Sequence, residues 1–158
     1  MKFVIEKLRE AFLYNVRVNG YDDLNQNVVK LIAKGGEPCR DVLRRAKKGE
    51  ELILASYCAF ELSGPYKEYG PIFILAKDSL ETVDYSKLPL SKYEGFDYLP
   101  KTFVLKAYNI QEQIIKAEVT DEKKSTQLLY EYLQNDETSF VLARYAAYGC
   151  FSLKIKAL

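Results

Sequence analysis

The sequence predicts an α+β fold in which a largely antiparallel sheet carries two or three helices. Three observations predict it. Runs rich in β-branched and aromatic residues recur between breaks marked by Gly, Pro and Asn. Two pairs of these runs are joined by connections short enough for hairpins, and helix-like patterns are few and lie between them. The 158 residues fit one compact domain spanning 1–158. A chain of this length buries roughly 68–70% of its unfolded surface without needing staples.

Each element has its own signal. In the N-terminal segment, Ile5, Leu8, Phe12 and Leu13 fit one helix face, while "FLYNVRV" is rich in strand formers. "VVKLIA" (28–33) suits either state. In "GGEPCRDVLRRAKKGEE" (35–51), Pro38 suits a first helical turn, Val42, Leu43 and Ala46 form a stripe, and Gly49 ends the run. A helix is therefore expected there, with Arg44, Arg45, Lys47 and Lys48 at its negative end. "ELILASYCAF" (51–60) and "IFILAK" (72–77) read as strands around a loop with two Gly-Pro steps. Residues 78–101 read as an extended surface connection, long enough to be a candidate functional flap or to hold a further short element. "TFVLKAYN" (102–109) and "IIKAEVT" (114–120) form a hairpin. "STQLLYEYLQN" (125–135) is an amphipathic helix capped by Ser125, with Leu128, Leu129, Tyr132 and Leu133 inward. "SFVLARY" and "CFSLKIKAL" are the last strands, separated by "AAYG".

Composition removes several chemistries. There is no histidine, which rules out Ser-His-Asp and Cys-His pairs within the chain and removes the commonest metal ligand. The three cysteines, Cys39, Cys58 and Cys150, are odd in number and form no Cys-x-x-Cys, so neither a disulfide framework nor a structural zinc is expected. The 23 basic and 22 acidic residues leave a net charge of +1, so nucleic acid is not an expected partner. Charged residues interrupt "MKFVIEKLREAF" and no long apolar run follows. No membrane partner is expected, and the default location is the cytoplasm. No phosphate loop or dinucleotide fingerprint appears, and no cofactor is indicated.

Two cysteines are the candidate catalytic residues. At a helix start beside Arg40, Cys39 would carry a lowered pKa and act as nucleophile or redox sensor. Without that setting it is a small buried hydrophobe. Cys150 opens the last strand after Gly149, and a reversible disulfide with Cys39 is possible if the two meet. Arg40 is a cation at the end of the expected helix that disfavours one, so it needs a fixed partner. That partner is either a carboxylate such as Glu50 or the carboxylate or phosphate of a ligand held bidentately. The wider basic run could bind phosphate groups or nucleic acid, but reads first as a solvated helix face, diluted by Asp41, Glu50 and Glu51. Tyr66, Tyr69, Tyr93, Tyr98, Tyr145 and Tyr148 lie near turns and suit a recognition surface or a sheet-edge cover.

Two stretches together resemble a known family. The first is "PCRDVLRRAKKGEELILASY", followed by Pro65-Tyr66 and Ile72-Phe73. The second is "VLKAYN" with "AAYGCFSLKI" near the end. This ordered set, over about residues 36–156, is similar to an uncharacterised bacterial family, number twelve-oh-three in the domain-of-unknown-function series. The resemblance implies one small domain and supplies no reaction. It singles out Cys150 as a second cysteine of interest, and it implies histidine where this chain has Arg144.

Two functions remain open from sequence. One is a non-catalytic module that binds a small anionic ligand or a protein partner through Arg40, Tyr66, Arg144 and Tyr148. The other is a thiol-dependent enzyme or redox protein using Cys39 with Cys150. The first is preferred because no general base stands beside either cysteine in the sequence.

Overall fold

The computed structural model describes residues 1–90 and 98–158. Among the described residues, ten strands form two five-stranded sheets rather than one. The first has the order β1 (Phe3–Ile5), β10 (Phe151–Ala157), β9 (Phe140–Tyr145), β7 (Thr102–Tyr108), β8 (Ile114–Asp121), and every pairing is antiparallel. The second has the order β2 (Val29–Ile32), β5 (Glu51–Tyr57), β6 (Gly70–Leu75), β3 (Pro38–Cys39), β4 (Arg44–Arg45). Only the β3–β6 pairing in it is parallel. Helix is a minor share. α1 (Glu10–Tyr14) runs into a π-turn over Asn15–Asn19, and α2 (Ser125–Leu133) follows β8. The fold is thus broadly α+β, weighted to β.

The cores follow from the alternation of the strands. Phe103, Leu105, Val141, Ala143, Leu153 and Ile155 point to one face of the first sheet, where the Leu128, Leu129, Tyr132 and Leu133 stripe of α2 covers them. Burial of one such side chain, Leu129 for example, contributes about 1.5–3 kcal/mol. The opposite face presents Tyr108, Phe140 and Leu142 to Ile53, Ala55, Ile72 and Ile74 of the second sheet. Leu8, Phe12 and Val16, from the first helical segment and its approach, complete this layer. A third, smaller core holds Ala33, Cys39, Val42, Ala46, Leu52 and Leu75.

The expected helix over 35–51 does not form. Cys39 pairs with Phe73 of β6 and with Arg44 of β4, so the segment is a narrow hairpin. Leu43 has φ 50, outside the helical range, and Gly35 and Gly36 have φ 103 and 98. Two consecutive residues at positive φ suit glycine, and that geometry leads the chain into a strand rather than a helix. The apolar spacing that suggests a helix is used instead to bury Val42 and Ala46 in the third core.

Two smaller expectations also change. Ser125 makes no capping bond at α2. The Asp121 carboxylate instead accepts the N–H groups of Lys123 and Lys124, and Ser125 donates to the Glu122 carbonyl. The described part of the 78–101 connection is pinned rather than flap-like. Val83, Tyr85, Leu88 and Leu90 pack on the first core, and Ile5 N–H donates to Tyr85 O at 2.7 Å. Tyr93 and Gly95 lie outside the described residues.

One irregularity positions the site. The β9–β10 register shifts between Phe151 and Leu153. A one-residue slip exchanges faces. Phe151 accordingly packs between the sheets, while Leu153 packs under α2. At the bulge, the carbonyls of Phe151 and Ser152 accept side-chain donors.

Candidate functional site

A cleft of about 900 Å³ opens between the outer face of the second sheet and the β9–β10 turn. Leu54, Pro71 and Phe73 form its sheet wall, and Pro38 continues that wall from β3. Across from them stand Thr102 at the start of β7 and the turn carrying Ala147 and Tyr148. The turn closes through Gly149 (φ 72), whose N–H donates to Tyr145 O at 2.8 Å. Tyr148 is 88% exposed and stands at the mouth.

Charge in the cleft is mainly basic. Lys34, Arg40, Arg45 and Lys101 line it, with Glu37 as the acidic member. The Glu37 carboxylate is already engaged, accepting the N–H groups of Lys34 (2.7 Å) and Gly35 (3.0 Å). Burial pushes its pKa up, but these N–H donors, its own backbone N–H and the Lys34 charge outweigh that and hold it below the usual value.

Arg40 anchors the base. It is only 5% exposed. Its Nε and Nη2 donate to Phe151 O at 3.0 and 2.8 Å, and Nη1 donates to Pro38 O at 2.7 Å. The guanidinium therefore ties the second sheet to the bulge of the first. It also lies 5.1 Å from the Tyr145 ring centroid, with the Arg45 guanidinium 5.4 Å from the same ring. Such stacking partly offsets the cost of burying a cation. Tyr145 is held in turn, its hydroxyl donating to Tyr98 O at 3.0 Å while Tyr98 donates to Ser152 O at 2.8 Å. Burial pushes both phenols above their ordinary range.

No carboxylate among the described residues pairs with Arg40. The expected Glu50 partner belongs to Arg44, which holds it at 2.8 and 2.9 Å and also reaches Glu81 at 2.7 Å. The hydrogen bonds from Arg44 bring the Glu50 carboxyl down to about 2.

The expected site residues divide. Arg40, Tyr148 and Cys150 come together in the cleft, whereas Cys39, Tyr66 and Arg144 are not among its lining residues. Cys39 is fully buried in the third core, and burial pushes its thiol up to about 12. The helix start that would have lowered it is absent. All three cysteines are free. Cys150 is half-buried, its Sγ 3.6 Å from Tyr148 O. Arg144, on the face of β9 opposite Tyr145, is nearly buried and pairs with Glu68 of the 61–69 loop and with Gly149 O. Tyr66 is exposed on that loop. Sequence reasoning missed Lys34, Lys101 and Phe73. It also placed Arg45 within a basic run read chiefly as a solvated helix face. No local signal separates Arg45 from its neighbour Arg44. Which of the two lines the cleft is decided by the β3–β4 pairing, which sets Arg44 opposite Cys39 and Arg45 opposite Pro38.

A family model described as a protein of unknown function (DUF1203) matches residues 36–157. The chain belongs to that family. Apart from Lys34 and Gly35, every residue lining the cleft falls within the DUF1203 match. No curated protein and no solved structure matches the chain. Among the described residues, no group of three or more His, Cys, Asp or Glu could hold a metal, and no helix is long and apolar enough to cross a membrane.

Proposed function

We propose that this DUF1203 chain, folded as one domain, binds a small anionic ligand in the cleft between the second sheet and the β9–β10 turn. The observation that carries the reading is Arg40. A cation this buried normally has a carboxylate partner, because an unpaired charge is costly to remove from water. Here its described partners are two neutral carbonyls and a ring. A ligand anion would complete the set. Lys34 and Lys101 at the rim would raise the local anion concentration and its on-rate. The volume lies at the upper end of ordinary small-molecule sites, roughly 300–1,000 Å³.

The thiol reading has less support. Cys39 is buried with its thiol pushed up to about 12, and Cys150 is the only cysteine lining the cleft among the described residues.

Thermal shift against a panel of nucleotides, sugar phosphates, and mono- and dicarboxylates tests the proposal. A ligand at a hundred times its Kd stabilises by about 2.7 kcal/mol, which is readily measured. The charge reversals Lys34→Glu and Lys101→Glu, at exposed positions, are expected to weaken every hit. A panel in which no anion raises the Tm would remove the proposal.

A further inference from the structure

We infer that the anion this cleft takes is a carboxylate carried on an apolar body, and not a phosphate. The inference rests on the reading of the cleft as an anion site and concerns which anion fits.

A guanidinium has five N–H donors. The bonds of Arg40 use Nε–H, one N–H of Nη1 and one of Nη2. One N–H on each terminal nitrogen is left over. Paired at the outer edge of the guanidinium plane, these two would engage two oxygens of one anion, a bidentate geometry that carboxylate and phosphate both accept and that favours arginine over lysine.

A phosphate would need more donors than this fork, and beyond the rim lysines the backbone loop that could supply them is already filled. Gly35-Gly36 resembles a backbone cradle for a phosphate group. However, the N–H groups of Lys34 and Gly35 go to the Glu37 carboxylate, and that of Gly36 goes to Ala46 O at 2.9 Å. The loop is closed by its own acid, which would also repel a dianion. The walls fit an apolar body: Pro38, Leu54, Pro71 and Phe73 on one side, Ala147 and the Tyr148 ring on the other.

Isothermal titration of the intact protein with octanoate and 3-phenylpropionate, their primary amides, and phenyl phosphate tests this. The acids are expected to bind about tenfold or more tighter than both the amides and phenyl phosphate, the charge-assisted fork supplying the difference from the amides, and the phosphate's unmet oxygen and its second charge beside Glu37 the difference from phenyl phosphate. Leu54→Glu, which puts a negative charge on the wall, is expected to abolish acid binding. Arg40→Lys keeps the charge and removes the fork, and should bring acid binding down about tenfold, toward that of the amides. If Arg40→Lys does not fold, the series on the unsubstituted protein still decides. Phenyl phosphate binding as tightly as the acids would overturn the carboxylate assignment and leave the anion site standing. So would silence from both acids while nucleotides or sugar phosphates bind. Amides equal to the acids, or no anion binding at all, would overturn both. Acid binding unchanged by Leu54→Glu would place the ligand elsewhere and end the proposal.

Discussion

Alkylation of the three thiols in the native protein should separate them sharply. Cys39 is 0% exposed. Burial is the main reason its pKa rises from 9.0 to about 12, with the Asp41 charge adding to it and Arg44 and Arg40 partly opposing. A rise of that size leaves about a thousandfold less thiolate at any pH well below both values. Since the thiolate is the nucleophile, the rate falls by the same factor before access is considered. Cys150, half-buried at the cleft, serves as the internal reference. A pulse of iodoacetamide at mildly alkaline pH, followed by quenching and peptide mass spectrometry, gives three rates. Cys39 is expected to react about a thousandfold or more slower than it does in the unfolded chain, and to be slower than Cys150 in the folded protein. Unfolding in denaturant should bring the rates together, and Cys150→Ser should leave only slow modification. Cys39 reacting in the folded protein within tenfold of its unfolded rate would refute the argument from burial and restore the thiol reading.

Three further outcomes test the packing around the cleft. Glu50 has its carboxyl lowered from 4.5 to about 2, so its contribution is present above 4.5 and is lost as pH falls toward 2. Asp41, raised by burial, acts in the opposite direction. Glu50→Gln should therefore cost about 1 kcal/mol near neutrality, the pair being partly exposed, and flatten the acid limb of a urea-unfolding series. An unchanged acid limb would count against it. Tyr98→Phe removes the donor to Ser152 O and should cost about 1–3 kcal/mol in urea unfolding. An unshifted midpoint would mean that the bulge carbonyl is satisfied without it. Glu68→Gln leaves the nearly buried Arg144 without its carboxylate and should cost about 1–3 kcal/mol. The double variant Glu68→Gln/Arg144→Met should recover part of that loss, and a purely additive result would deny the coupling.

Much of the architecture is legible in the sequence because strand alternation is a local signal. β5, β6, β7, β8, β9 and β10 all fall largely within the runs that suggest them, and α2 shows its inward stripe of Leu128, Leu129, Tyr132 and Leu133. The division into two sheets is not local. It depends on which strands pair across long separations, such as Phe3 with Ala157. The 35–51 segment misleads for a physical reason. Val42, Leu43 and Ala46 have helical spacing, but the backbone is decided by the glycines at positive φ and by the pairing of Cys39 with Phe73. Arg40 stands out in the sequence as a cation needing a partner. The helix used to justify that is absent, and the residue is buried without a described carboxylate, held by carbonyls that include one from a bulge more than a hundred positions away. A bulge leaves no mark in hydrophobic alternation that could have announced it.

The link between Arg40 and Phe151 spans 111 positions, and this sets when the cleft can come into being. During synthesis at about 5–20 residues per second, Arg40 precedes its acceptor by about 6–20 s. The second sheet, drawn from residues 29–75, can pair in that interval with the guanidinium still in water. The base of the cleft then closes only when β10 has left the ribosome and docked. A nascent chain lacking that strand would present the apolar wall of Leu54 and Phe73 without the Phe151 carbonyl that fixes the arginine. The proposed ligand capture would thus report that β10 is in place.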